Sequence, residues 1–258
     1  MSFNVTKQMV NAEVTQFYQE YPRSDITIDT VVTDNILDRR LSLACGPNDF
    51  QRYRDRADLL REFNGTIAFG KTITDTHYVL LASDKLCVDE YTWHGTVYHE
   101  YTHIYDNIDF ANYNSIKIMD DIYSAPYYDQ FSLWTEFHAR YTGMKRTQTV
   151  RYPADIADYM RTDAPKLCNE MIKTYTANQN PYEFMQFVGR YLFLEECSPS
   201  FVPSFSSLLK RNSSINSPSP LIKLYRFLRN HKTADQALAD LPQFKSLLLD
   251  VKQTYFFS

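Results

Sequence analysis

Two histidines four residues apart, with a glutamate directly after the first, make His99-Glu100-Tyr101-Thr102-His103 an HExxH pattern. Composition alone would produce it in about one such chain in 200. On an α-helix four residues advance by about 6 Å and 400°, so the two imidazoles sit one turn apart with an offset of about 40°. Both can then reach a single metal ion at about 2.0–2.1 Å. Glu100 is turned about 100° from His99, too far round to ligate beside the histidines. It is well placed to hold and deprotonate a water. The plain counterpart is a solvated helix face carrying two histidines and a surface glutamate.

A catalytic zinc ion takes three protein ligands and keeps one position open, so a third ligand is needed. Two carboxylates compete for that place. Counted from His99, the longer pattern HExxHxxGxxH puts it at Asp109. Its turn-forming glycine is replaced by Asp106, however, and no Met-turn sequence follows; Met119 in Ile118-Met119-Asp120-Asp121 is a poor substitute. The other candidate is Glu136 in Leu133-Trp134-Thr135-Glu136-Phe137-His138-Ala139-Arg140, on the next helical pattern, with the small Ala139 nearby for close packing. An ordinary Glu136–Arg140 helix pair is the simpler reading of that segment. Asp106, three residues beyond His103, is spaced to hydrogen-bond a ligand imidazole. His94 is rotated about 140° from His99, and His138 is two residues from Glu136, so both should point elsewhere.

HExxH on one helix, followed by a helix carrying Glu136-Phe137-His138-Ala139, resembles the gluzincin branch of zinc metallopeptidases, and within it the small cytosolic bacterial and phage-type members. The resemblance spans about residues 60–145. It implies a zincin-like fold, zinc as cofactor, His99, His103 and Glu136 as its ligands, and Glu100 as catalytic base. The activity implied is hydrolysis of a peptide or protein substrate through a zinc-activated water. One position departs: thermolysin-like members carry an aspartate four residues after the third ligand, where this chain has Arg140, so the groups that orient the ligands must differ. The alternative is a catalytically silent zincin-fold binding or regulatory module. Zincin-type sites also bind extended substrate against an edge strand lying just ahead of the metal helix, a position that residues 77–83 are expected to occupy.

The elements that must position these residues follow from hydrophobic spacing. Residues from about 4 to 20 read as helix (Val5, Met9, Val14, Phe17, Tyr18), and 26–32 alternates as a strand. A helical pattern over 49–63 precedes strands at 66–69 and 77–82. Helix returns over 88–107 through Val97, Tyr101, Ile104 and Tyr105, and again over 129–142, with Gly143 as a stop. Further helices are expected at 153–175, 180–196, 219–231 and 233–256, the last opened by a Thr233/Gln236 capping box, with a loop at 211–220. The expected fold is α+β: a small, mostly antiparallel sheet packed on the HExxH helix, and an all-helical C-terminal lobe. The domains are read as 1–150, catalytic, and 151–258, a helical subdomain.

The remaining features exclude more than they assign. With 258 residues, 44% hydrophobic and 22% charged, the chain can bury a full core. A net charge of −4 and a pI near 5.9 argue against coating nucleic acid. No apolar run is long enough to span a membrane, and the first residues lack a signal-peptide pattern, so a cytoplasmic location is expected. Cys45, Cys87, Cys168 and Cys197 are scattered and read as thiols in a reducing compartment. Lys223, Arg226, Arg229 and Lys232 read as a solvated basic helix face. Gly65-Thr66-Ile67-Ala68-Phe69-Gly70-Lys71-Thr72 fits the phosphate-loop pattern letter for letter, but its middle residues are strand formers and a strand, not a helix, follows. It reads as a strand ending at a Gly-Lys turn.

Overall fold

A computed structural model describes residues 5–86, 89–152, 161–178, 180–197, 199–211 and 218–255. Backbone packing divides the chain into two compact units, the first ending at Tyr128 and the second starting at Asp129. The first unit holds α1 (Lys7–Glu20), β1 (Ile28–Thr33), α2 (Ile36–Ser42), α3 (Pro47–Arg54), α4 (Ala57–Leu60), β2 (Gly65–Ala68), β3 (His77–Ala82), α5 (Thr92–Tyr113) and a 3-10 turn (Met119–Ser124). The expected combination is present: a small sheet against which the HExxH helix packs.

The strand order is β1-β3-β2. β3 pairs with β2 antiparallel, Gly65 opposite Leu81, and with β1 parallel, Ile28 opposite His77. Two expectations are corrected by this order. The sheet is mixed rather than mostly antiparallel, because β3 leaves β2 by a short hairpin connection and inserts beside β1. The hairpin fixes one ladder as antiparallel, and the helix-bearing crossover after β1 permits the other to be parallel. Residues 77–82 are therefore the central strand and not an edge. The edge strand nearest the HExxH helix is β2.

Side-chain alternation decides what each face of this sheet meets. Leu80 and Ala82 form a buried cluster with Ile36 of α2, and Val31, Leu43 and Tyr78 pack against it. The opposite set, Thr30, Val79, Leu81, Gly65 and Ile67, faces α5. Tyr101 of α5 reaches across it to bond Thr30 Oγ1 at 2.7 Å. α1 then packs on the outer side of α5. Phe17 lies at 5.0–5.2 Å, ring to ring, from Tyr98, Tyr101 and Tyr105, three positions that share one helix stripe. His94 pairs with the buried Glu13 at 2.6 Å, also joining α5 to α1.

The phosphate-loop look-alike is strand followed by turn, as its letters suggested. β2 ends at Ala68, and no helix follows before β3. A Cβ on Gly70 would meet Asp75 Cβ at 2.5 Å and the Thr76 carbonyl oxygen at 2.8 Å, so the turn closes only over glycine. The buried His77 pins it: its Nδ1 accepts from the Gly70 N–H at 3.2 Å, and its Nε2 lies 3.2 Å from the Ile73 carbonyl. That pairing requires the neutral Nε2–H tautomer.

From α6 (Tyr128–Arg151) onward the described residues are helical: α7 (Ala164–Asn178), α8 (Pro181–Cys197), α9 (Phe205–Arg211), α10 (Ser219–Asn230), α11 (Ala234–Ala239) and α12 (Leu241–Tyr255). α6 runs straight through Gly143, the expected stop. Thr142 and Met144 beside it and Gln148 beyond are all buried, so packing carries the helix past a residue that would otherwise end it. Part of the expected 153–175 helix, residues 153–160, and part of the expected loop, 212–217, lie outside the described residues. The expected 233–256 helix breaks at Asp240, and its capping box is present, with Thr233 N–H donating to Gln236 Oε1 at 3.2 Å. Phe184, Phe187, Tyr191, Phe205 and Tyr225 make an aromatic core in this unit, Phe205 stacked on Tyr225 at 4.0 Å. Cys45, Cys168 and Cys197 are free thiols; Cys87 lies outside the described residues. No helix among the described residues is long and apolar enough to cross a membrane.

Burial holds the His77 pKa below its ordinary value. In the unfolded chain the ring protonates near about 6.5, while the folded state resists protonation. Stability from this group is therefore complete above that pH and is lost as pH falls below it. We expect the thermal midpoint of the wild type to drop more between pH 7.5 and 5.5 than that of His77→Gln. Equal drops in the two proteins would refute the assignment.

Candidate metal centre

α5 begins where its backbone donors are satisfied. The Asp89 carboxylate accepts from the N–H groups of Tyr91 and Thr92 at 2.7 Å and from the Thr92 hydroxyl. It places negative charge at the positive end of the helix. α5 was expected over 88–107; it starts at Thr92 and continues to Tyr113. The extension matters for the third-ligand question.

His99 is buried and His103 half-buried. Their Nε2 atoms lie 3.0 Å apart and the rings are nearly perpendicular, at 89°. Two imidazole nitrogens so close need something positive between their lone pairs, either a proton on one ring or a cation. A zinc ion in tetrahedral geometry with Zn–N bonds of about 2.05 Å would hold them about 3.3 Å apart. The observed separation therefore needs only a few tenths of an ångström of opening to fit zinc. The helix carbonyl of His103 accepts from the Asn107 side chain at 2.7 Å.

Glu100 is also buried, at 7% exposure, and its neighbour explains how. A Cβ built on Gly65 would stand 2.8 Å from Glu100 Cγ and 3.0 Å from its Oε1. The β2 backbone thus approaches the helix where the carboxylate needs room, and only a glycine leaves it. Sequence reasoning missed Gly65 in this role; the signal was a glycine opening an otherwise β-branched and apolar strand.

Asp109 lies on the extended part of α5, six residues beyond His103 and so rotated about 120° away from it. Arg23 binds it at 2.6 Å. The same guanidinium pairs with Asp25 at 2.7 Å and covers the Tyr105 ring. With Asp106 in place of the glycine, the helix simply continues, and Asp109 is held on α1's side of it, away from the histidines.

In the second unit Glu136 lies on α6 and is buried. It accepts from Arg140 Nη2 at 3.2 Å, the i,i+4 pair that the sequence offered as the simpler reading. His138 turns away and lies against Trp134, ring centroids 5.1 Å apart. Beside Arg140, α8 crosses α6 tightly: a Cβ on Gly189 would meet the Phe137 carbonyl oxygen at 2.5 Å and Arg140 Cβ at 3.0 Å. His94 is in the ion pair with Glu13 already described.

No protein-family model, curated protein or solved structure matches the chain. The site's own donor set therefore carries the functional reading: two imidazoles converging on one point, and a buried carboxylate on the same helix.

The Gly65–Glu100 contact has a measurable signature. We expect Gly65→Ala to lower stability by roughly 1–2 kcal/mol through overpacking, and to cost much less when Glu100→Ala is already present. A double-mutant cycle by denaturant unfolding measures the coupling; additive losses would show that Gly65 makes room for something other than Glu100.

Proposed function

We propose that the protein is a zinc-dependent metallopeptidase of the gluzincin type. The observation that carries this reading is the 3.0 Å convergence of His99 and His103 Nε2 on a helix that also holds Glu100 in a glycine-lined recess. Glu136 is proposed as the third ligand. In support, His99, His103 and Glu136 are the group of ligand-bearing side chains, among the described residues, that could hold a metal ion. The position of Asp109, about 120° round α5 from His103, argues against the competing assignment.

A zinc ion bound there supplies Lewis-acid polarisation of a substrate carbonyl and lowers the pKa of water toward about 7. The protein's own residues do the rest. His99 and His103 present neutral imidazoles as ligands, so their Nε2 lone pairs must be unprotonated. Glu100 holds a water by one carboxylate oxygen, takes its proton as the water adds to the carbonyl, and passes that proton to the departing amine. The recess at Gly65 keeps this carboxylate in one position, which is what a general base needs. β2, antiparallel and at the sheet edge beside α5, is the strand against which an extended peptide would lie, in place of residues 77–83.

His99→Ala and His103→Ala should each lose most bound zinc, because two remaining ligands cannot hold it against water. Glu136→Ala should do the same, and Asp109→Ala should leave metal content unchanged. Glu100→Gln should keep zinc and lower any peptide hydrolysis by roughly 100-fold or more, the scale for removing a positioned general base. Elemental analysis of protein purified without chelators, with a broad peptide-cleavage screen on all five variants, checks this. A wild-type protein that neither carries nor takes up zinc sinks the reading, and retention of zinc by Glu136→Ala with loss in Asp109→Ala moves the third ligand.

A further inference from the structure

One neutral side chain holds shut the turn that joins β2 to β3. The last pair of that ladder is Ala68 with Tyr78, and the buried ring of His77 lies inside the connection beyond it. Its Nδ1 accepts from the Gly70 N–H on the β2 leg, and its Nε2–H donates to the Ile73 carbonyl at the tip, both at 3.2 Å. Phe69, also buried, meets the ring edge-on at 6.0 Å. The outer side of the turn is docked as well: the Lys71 carbonyl accepts from the Met119 N–H at 2.9 Å, and Thr72 bridges Ile118. Asp120, the next residue, accepts from the Asn48 and Asp49 N–H groups at 3.2 and 2.8 Å and so caps α3.

A proton added to Nδ1 turns that acceptor into a donor, and two N–H groups then face each other across the Gly70 contact. The Nε2–H bond to Ile73 survives, because protonation leaves that donor in place. We propose that the 69–76 turn is a proton-operated clasp: acid breaks its β2 leg at Gly70 while the tip stays tethered, and the loosened Lys71–Thr72 segment lets go of residues 118–119. The proton comes from solvent, and neither the histidines of α5 nor a metal ion takes part. Asp75 is the carboxylate that acts on the ring and favours its charged form, and Lys71 acts in turn on Asp75. β1 brings Ile28 opposite His77 and the docked segment brings Ile118 and Met119, none of them charged. Burial outweighs Asp75 and holds the ring's pKa below its ordinary value, so opening falls below about pH 6.5.

Phe69-Gly70 is the only Phe-Gly pair in the chain, and Ile118-Met119 the only Ile-Met pair. Isotopic labelling of Phe carbonyl carbons with Gly nitrogens, and of Ile carbonyl carbons with Met nitrogens, therefore isolates the Gly70 and Met119 amides by NMR. Between pH 7.5 and 4.5 both should lose roughly tenfold or more in protection against hydrogen exchange. Each pH unit below about 6.5 favours the open turn by up to tenfold. Amides in the middle of α5 should keep their protection over the same range. His77→Gln offers the same acceptor and donor without titrating, so it should hold both amides protected throughout. Asp75→Asn keeps an acceptor for the Thr72 N–H but removes the charge that favours the imidazolium, so opening should move to lower pH. Equal protection at both pH values in the wild type, or a loss in His77→Gln as large as in the wild type, overturns the clasp. An unmoved midpoint in Asp75→Asn overturns it even where His77→Gln fails to fold. Loss at Gly70 with Met119 still protected overturns the release of residues 118–119, and parallel loss throughout α5 marks global acid unfolding and overturns the whole proposal.

Discussion

The first unit depends on how α5 is seated across one face of a three-stranded sheet. That helix carries two ligand-type histidines and a glutamate, and burying such groups is costly unless they are held against partners. The seating supplies that constraint from two sides. Phe17 packs into the Tyr98–Tyr101–Tyr105 stripe from α1, and the Tyr101–Thr30 bond ties the helix to β1. Gly65 on β2 receives Glu100. These contacts set the rotation and register of the helix, and with them the orientation of the face bearing His99 and His103.

The same seating sorts the charged residues nearby. Arg23 collects Asp25 and Asp109 on the α1 side of α5, and His94 is drawn to Glu13. These ion pairs hold Asp109 and His94 away from the face bearing His99 and His103, which presents two imidazoles with a carboxylate beside them. A borderline-soft cation such as zinc suits those donors better than calcium or magnesium, which prefer all-oxygen shells. In the second unit Arg140, paired with Glu136, stands where the resemblance leads one to expect an aspartate, so any ligand role of Glu136 would need different charges to orient it.

Much of the arrangement was legible in the residues. The HExxH spacing required a helix, hydrophobic period located β3 and most helices, and the strand-forming letters between Gly65 and Lys71 argued against a phosphate loop. Each of these rests on local physics: side-chain periodicity, backbone preference and capping. The same physics predicted the Thr233–Gln236 capping box, whose partners are three residues apart.

What only the tertiary structure decided involves partners distant in sequence. No local pattern tells that β3 pairs on both sides, since β1 and β2 each expose the same kind of backbone edge and the order is set by how the hairpin inserts. The continuation of α5 to Tyr113 and of α6 through Gly143 depends on packing that outweighs weak helix preferences. Gly65 could be read as a strand residue, but its purpose is visible only where Glu100 lies against it. Asp109 and Glu136 are equal in kind as carboxylates and each meets an arginine: Glu136 the Arg140 of its own helix, Asp109 an arginine 86 positions away that no local pattern foretells. Local spacing determines which chemistry a helix can present, whereas long-range packing determines which side chains remain available to take part in it.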